Sequence, residues 1–330
     1  MQHSQNPSSP NRTDSELTDT RMTVAIAGAS GLVGTALAER LQDAGHRVVR
    51  LRRPGRNIAA DGPTWDPAHG TVDDGALDGC DAVVNLAGAS IGDGRWTKRR
   101  KRLLRDSRID ATRLLVDAMA TMERRPRVLV SASAVGFYGD RGDDRLIESD
   151  ARGRGFLAEL AADWEAEAQA AEDLGVRVVT PRFGVILDRD AEALRRMMLP
   201  IRLGVGGPLG NGRQWMPWVT LADVTRAIEF FLTHEVHGAV NVVAPGEERN
   251  RTFTKALARR LHRPAILPAP GFALRLLLGQ AADELLLAST RAEPARLTEA
   301  GFTFVHPDLA SALPAVLAPR APVPGPQSAY

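Results

Sequence analysis

Three glycines stand three residues apart in the segment Gly28-Ala29-Ser30-Gly31-Leu32-Val33-Gly34. This spacing suits a loop that cradles a diphosphate. The first glycine permits a tight turn, the second lets the backbone approach the ligand, and the third lets a helix pack closely on a strand. The motif carries this meaning only between a strand and a helix. Both are present. Thr23 to Ala27 is an apolar run that reads as a buried parallel strand, and Leu32, Val33, Ala36, Leu37 and Leu41 recur at helical spacing before Gly45. Gly28, Ser30, Gly31, Leu32 and Val33 are therefore expected at a cofactor, with free N–H groups of the helix N-terminus facing its phosphates. The following strand ends Val49-Arg50-Leu51-Arg52-Arg53. An acid at that place would hold a ribose 2′-hydroxyl, whereas Arg52 and Arg53 suit a 2′-phosphate. The expected cofactor is NADP (NADPH).

Further strands are expected at His46–Leu51, Asp81–Leu86, Arg127–Ser131 and Val176–Thr180, with helices at Asp106–Ala120 and Gly155–Leu174. This alternation predicts an α/β fold, a Rossmann-type doubly wound parallel sheet. A helix over Leu221–Leu232 and a strand over Ala239–Val243 can return to that sheet. Residues 22–187 and 219–244 are thus read as the dinucleotide-binding domain. Residues 188–218 and 245–312 form a smaller, mostly helical substrate domain, with Phe253, Leu257, Leu261, Leu274, Leu277, Leu278, Leu285 and Leu286 in its core. Within it, the run Gly204–Gly212 reads as a substrate lid or as a Gly-rich turn that packs. Residues 1–21 and the Pro-rich 313–330 read as disordered tails.

Composition narrows the class. The chain has 330 residues, 44% hydrophobic and 25% charged, enough for a sizeable core. Its net charge of +2 argues against a dedicated nucleic-acid binder. The dense basic stretch from Arg95 to Arg108 reads as a solvated helix face that can also contribute to an anionic-substrate pocket. No apolar run is long enough for a membrane span, and no secretory leader is evident. Cys80 is the single cysteine, so no internal disulfide forms. His234 and His237 have no third ligand nearby, so no metal site is expected. The expectation is a cytoplasmic monomer or homodimer that acts on a small-molecule substrate, with no nucleic-acid or membrane partner.

Several segments together carry a resemblance: Asn85-Leu86-Ala87-Gly88, Arg95-Trp96-Thr97, Ser107-Arg108, Ala134-Val135-Gly136-Phe137-Tyr138-Gly139-Asp140, Asp163-Trp164-Glu165, Arg182-Phe183-Gly184-Val185-Ile186-Leu187, Gly206 to Gln214, Trp218-Val219 with Asp223, Pro268-Ala269-Pro270, and Glu293 to Phe304. They span nearly all of residues 23–312. On these the chain resembles the atypical extended short-chain dehydrogenases, an epimerase-like group with a characteristic C-terminal helical domain. The resemblance implies an NADP(H)-dependent oxidoreductase or a nucleotide-sugar-epimerase-like enzyme. It adds Asn85, Leu86, Ala87, Gly88 and Arg182 to the expected cofactor residues. Such enzymes usually pair a tyrosine with a lysine four residues later, the lysine lowering the phenol pKa for proton transfer. Here Phe156 and Leu160 occupy those places, and neither Tyr138 nor Tyr330 has a lysine four residues on. Ser133 and Tyr138 are then the expected catalytic residues, with Tyr138 as proton donor or substrate anchor. The alternative is a non-catalytic NADP(H)-binding redox sensor or regulator that kept the cofactor cradle alone.

Overall fold

The chain's apolar runs set its layers, as a computed structural model shows. Residues 21–55 and 62–318 are described. In chain order the elements are β1 (Thr23–Ala27), α1 (Leu32–Asp43), β2 (Arg47–Leu51), the hairpin β3 (Trp65–Asp66) and β4 (Thr71–Val72), β5 (Ala82–Asn85), α2 (Lys98–Ala120), β6 (Val128–Ser131), β7 (Ser133–Ala134), β8 (Arg145–Leu146), α3 (Phe156–Gln169), β9 (Arg177–Phe183) and β10 (Val185–Leu187). There follow α4 (Glu192–Arg202), β11 (Trp218–Thr220), α5 (Leu221–Thr233), β12 (Gly238–Val242), α6 (Asn250–Arg260), α7 (Gly271–Leu278), α8 (Gln280–Ala282), β13 (Arg291–Ala292), α9 (Ala295–Glu299) and α10 (Leu309–Leu317).

The main sheet runs β12-β9-β6-β5-β1-β2, with β7 also beside β9. All its pairs are parallel. Strands buried on both faces need apolar side chains throughout, and β5 (AVVN) and β6 (VLVS) are buried at every position. A parallel bridge from Arg52 to Thr64 adds a stub beyond β2. The chain steps from β1 outward to β2, then back across to β5. The strand order therefore reverses between β1 and β5, and a crevice opens above their C-terminal ends.

Leu37, Leu41, Ile228 and Phe231 of α1 and α5 close one face of the sheet against Ile26, Val84 and Val130. Leu115, Met119 and Ala168 of α2 and α3 close the other against Ala25, Val83 and Leu129. A third core joins α4, α6 and α10 through Leu194, Met198, Phe253, Leu257 and Leu313.

Three expectations need correction. Leu297 and Phe302, assigned to the smaller domain, are buried in the core of the main sheet. Helix α7 has no buried residue, and Leu277 is 68% exposed. Helical periodicity shows where an apolar stripe lies, not that a partner covers it. The expected tails at 1–21 and 313–330 lie mostly outside the described residues. Where they do not, the chain stays helical to Leu317, with Leu313 buried.

Candidate functional site

Register places the site. Ala27 of β1 is level with Leu51 of β2 and with Asn85 of β5. The Gly28 loop, Arg52 and Leu86 therefore leave the sheet side by side. Gly28 has φ +81, and a Cβ there would lie 2.7 Å from the Leu86 carbonyl carbon. A Cβ on Gly34 would collide with the Gly28 carbonyl, so α1 packs directly onto the turn. The N-cap of α1, Gly31, offers no side-chain cap, and the first turn holds no acid. Ser30 and Gly31 are exposed, and Leu32 and Val33 half-buried. The arrangement leaves free N–H groups and the positive end of a helix dipole at the crevice, which suits a diphosphate.

Arg52 donates to the Gly62 carbonyl at 2.8 Å, which fixes its stem at the strand end. Arg53 is exposed beside it. Asn85 is fully buried. Its amide donates to Thr112 Oγ1 at 2.9 Å and Ser131 Oγ at 3.2 Å, and its Oδ1 accepts from the Ala87 N–H at 3.2 Å. The side chain thus shapes the Leu86-Ala87-Gly88 turn, so any influence of Asn85 on a ligand passes through that loop.

Ser133 and Tyr138 belong to a buried polar chain. Ser133 Oγ donates to Glu165 Oε1 at 2.6 Å. Glu165 forms a two-pronged ion pair with Arg182, at 2.7 and 2.8 Å. Arg182 also donates to the Tyr138 hydroxyl at 2.9 Å, and that hydroxyl's proton faces Asn241 Oδ1 at 2.8 Å and the Ile147 carbonyl at 3.0 Å. Arg182 is only 4% exposed. Burial works against its charge, but Glu165 and Tyr138 together outweigh burial and raise it. With its fork filled by Glu165, Arg182 is a structural cation, and its expected cofactor contact is corrected.

Tyr138 is corrected too. It is fully buried among Leu146, Val243 and Ala292. Burial pushes its phenol up, against the pull of Arg182. A sealed phenol with a raised pKa is a poor proton donor to a crevice.

Where the usual tyrosine would stand, Phe156 begins α3. Its ring meets Trp96 edge-on at 5.2 Å, with the Lys101 ammonium 5.0 Å from the centroid. Glu284, from the C-terminal segment, accepts from the N–H groups of Phe156 (3.1 Å) and Leu157 (2.8 Å), and so caps α3 from a distant part of the chain. Gln280 bonds both Glu284 and Lys101. The expected lid, Gly204–Gly212, is pinned rather than free. Leu209 bridges Ala269, and its N–H reaches Asn250 Oδ1 at 2.8 Å.

The expectations passed over Glu165, Asn241 and Glu284. Glu165 left a signal. It sits on the buried face of α3 with Ala158, Ala161, Trp164 and Ala168, where an acid requires a buried partner. Glu284 left none, because its partners lie 127 and 128 residues away.

Comparison with known proteins agrees with this geometry. Residues 24–244 match the NAD dependent epimerase/dehydratase family, and residues 269–316 match a domain of unknown function, DUF1731. The chain is 42% identical over 292 residues to an epimerase family protein of Mycobacterium leprae, covering 88% of this chain and 94% of that one. A crystal structure of the human epimerase family protein SDR39U1 with NADPH superposes with a TM-score of 0.80 at 32% identity, covering 89% of this chain and 99% of that one. A nucleoside-diphosphate sugar epimerase of Corynebacterium glutamicum superposes with a TM-score of 0.72 at 34% identity, covering 90% of this chain and 58% of that one. The glycine cradle, the strand order and these similarities converge: the chain belongs to the NAD dependent epimerase/dehydratase family.

Proposed function

We propose that this chain binds NADP(H) and acts as an oxidoreductase or epimerase on a small polar substrate without a tyrosine–lysine pair. The observation that carries this is the fit between the Gly28 turn and the Leu86-Ala87 peptide, beside a helix N-terminus that no side chain caps. Arg52 and Arg53, level with that turn, are assigned to the 2′-phosphate. The NADPH bound by the human relative supports this preference. NADP(H) when bound supplies or accepts a hydride.

The chain's own groups do the rest. The turn and the α1 N-terminus hold the diphosphate, and Leu86, Ala87 and Gly88 form the opposite wall. Ser133 Oγ donates a hydrogen bond to Glu165 and is only 3% exposed, so, like Tyr138 and Arg182, it orders the buried chain and is not assigned to the substrate, a correction to its expected catalytic role. A second reading, a redox sensor without turnover, is favoured by one observation: the Tyr138 hydroxyl is sealed in the core.

Fluorescence titration with NADPH and NADH tests the first step. NADPH is expected to bind at least tenfold more tightly, and tighter NADH binding overturns the assignment. Turnover is then followed as NADPH consumption with simple carbonyl compounds and, with oxidised NADP bound, as conversion of nucleoside-diphosphate sugars to their epimers, because epimerisation returns the hydride and consumes no cofactor. Turnover of any of them supports the enzyme, and tight NADPH binding with no turnover across the panel supports the sensor.

A further inference from the structure

Arg108 is the half-buried arginine of α2 that meets no acid; Arg99 and Arg102, which also meet none, are exposed. On α2, Arg100, Arg105 and Arg113 meet Asp93, Asp163 and Glu167. Among the described residues no carboxylate lies within ion-pair distance of Arg108. Its guanidinium donates to two backbone carbonyls only, Leu104 at 3.0 Å and Ala89 at 3.1 Å. Its Nε, and the second N–H of each terminal nitrogen, are left over. Burial, with the like charge of Arg100, pushes it down to about 10. A half-buried cation without a counter-charge is costly to hold, and its place shows what it is held against.

The guanidinium lies flat on Gly88, where a Cβ would come within 3.1 Å of its Cζ, and the Trp164 ring lies 5.2 Å away. Gly88 directly follows the Leu86-Ala87 peptide that packs on the Gly28 turn. The cation therefore stands one residue along the strand-end wall from the peptide that packs on the Gly28 turn. We propose that Arg108 is an anion-binding residue of this crevice, and that its ligand is an oxygen of the dinucleotide's diphosphate. This deepens the NADP(H) reading and rests on it. A fork with unused donors, anchored by two carbonyls and braced by an indole, is pre-organised for a phosphate oxygen.

The experiment uses the full chain with NADPH and, as a control without a diphosphate, adenosine 2′-monophosphate. Arg108→Gln should weaken NADPH by roughly 10- to 100-fold, the loss of charge-assisted hydrogen bonds. It should also reduce the salt dependence of NADPH binding and leave adenosine 2′-monophosphate binding unchanged. A merely structural role would instead lower the ligand-free melting temperature and weaken both ligands alike, which overturns the proposal. Wild-type NADPH affinity in a folded Arg108→Gln also overturns it. Should that variant not fold, Arg108→Lys carries the test, because an ammonium cannot reproduce the fork. A several-fold loss on NADPH alone supports the assignment, and unchanged affinity overturns it. A wild-type chain that binds no NADPH overturns the parent reading and this one with it. Wild-type binding with an indifferent variant overturns this one alone.

Discussion

Gly34 tolerates no side chain, because a methyl group there would enter the Gly28 carbonyl and push α1 off the turn. Gly34→Ala should cost about 1–3 kcal/mol, read as a lowered denaturation midpoint, and weaken NADPH binding as well. Replacing Arg52 and Arg53 together with aspartate should weaken NADPH by more than about tenfold and leave NADH nearly unaffected, as parallel titrations would show. Two buried groups set the alkaline limit. Burial raises the Tyr138 phenol above its ordinary 10.0 and the Cys80 thiol from 9.0 to about 11. In both cases the folded state prefers the protonated form. That contribution is complete below the unfolded pKa and is lost as pH rises through the folded one. Stability should therefore fall above about pH 9, as urea titrations at stepped pH would show. Cys80→Ala should flatten the pH 9–11 part of that fall.

Elements carried most of the legible information. Every strand of the main sheet except β7, and the helices α1, α2, α3 and α5, could be read from apolar runs bounded by glycine or by turn residues. β8 and β13 could not, since two-residue strands that pair across 146 positions show no period. The glycine cradle was legible because its chemistry is local. The roles of Tyr138 and Arg182 were not, because they depend on Glu165 and Asn241, brought in from other elements. Removing the Glu165 carboxylate strands a buried guanidinium. Glu165→Ala should cost about 3–5 kcal/mol in chemical denaturation, with wild-type stability counting against the network. Glu284→Ala removes the remote cap of α3 and should cost about 1 kcal/mol, with faster amide exchange at Phe156 and Leu157.

At the scale of the whole molecule, the segment after β12 fills the core of the main sheet as well as building the third cluster. Leu297 and Phe302 fill the main core, β13 pairs with β8, and α10 closes the third cluster. A chain ended after Ala244 should therefore lack a cooperative thermal transition and aggregate during gel filtration. A monomeric, cooperatively melting fragment would show that the sheet stands without them. This same return has a consequence for synthesis. Met22 and Phe302 share one core, yet 280 residues separate them (302 − 22). At about 5–20 residues per second, the ribosome delivers the second roughly 15–60 s after the first. Throughout that interval the core that α1 and α5 cover still lacks Leu297 and Phe302, so native closure of that face follows translation of Phe302.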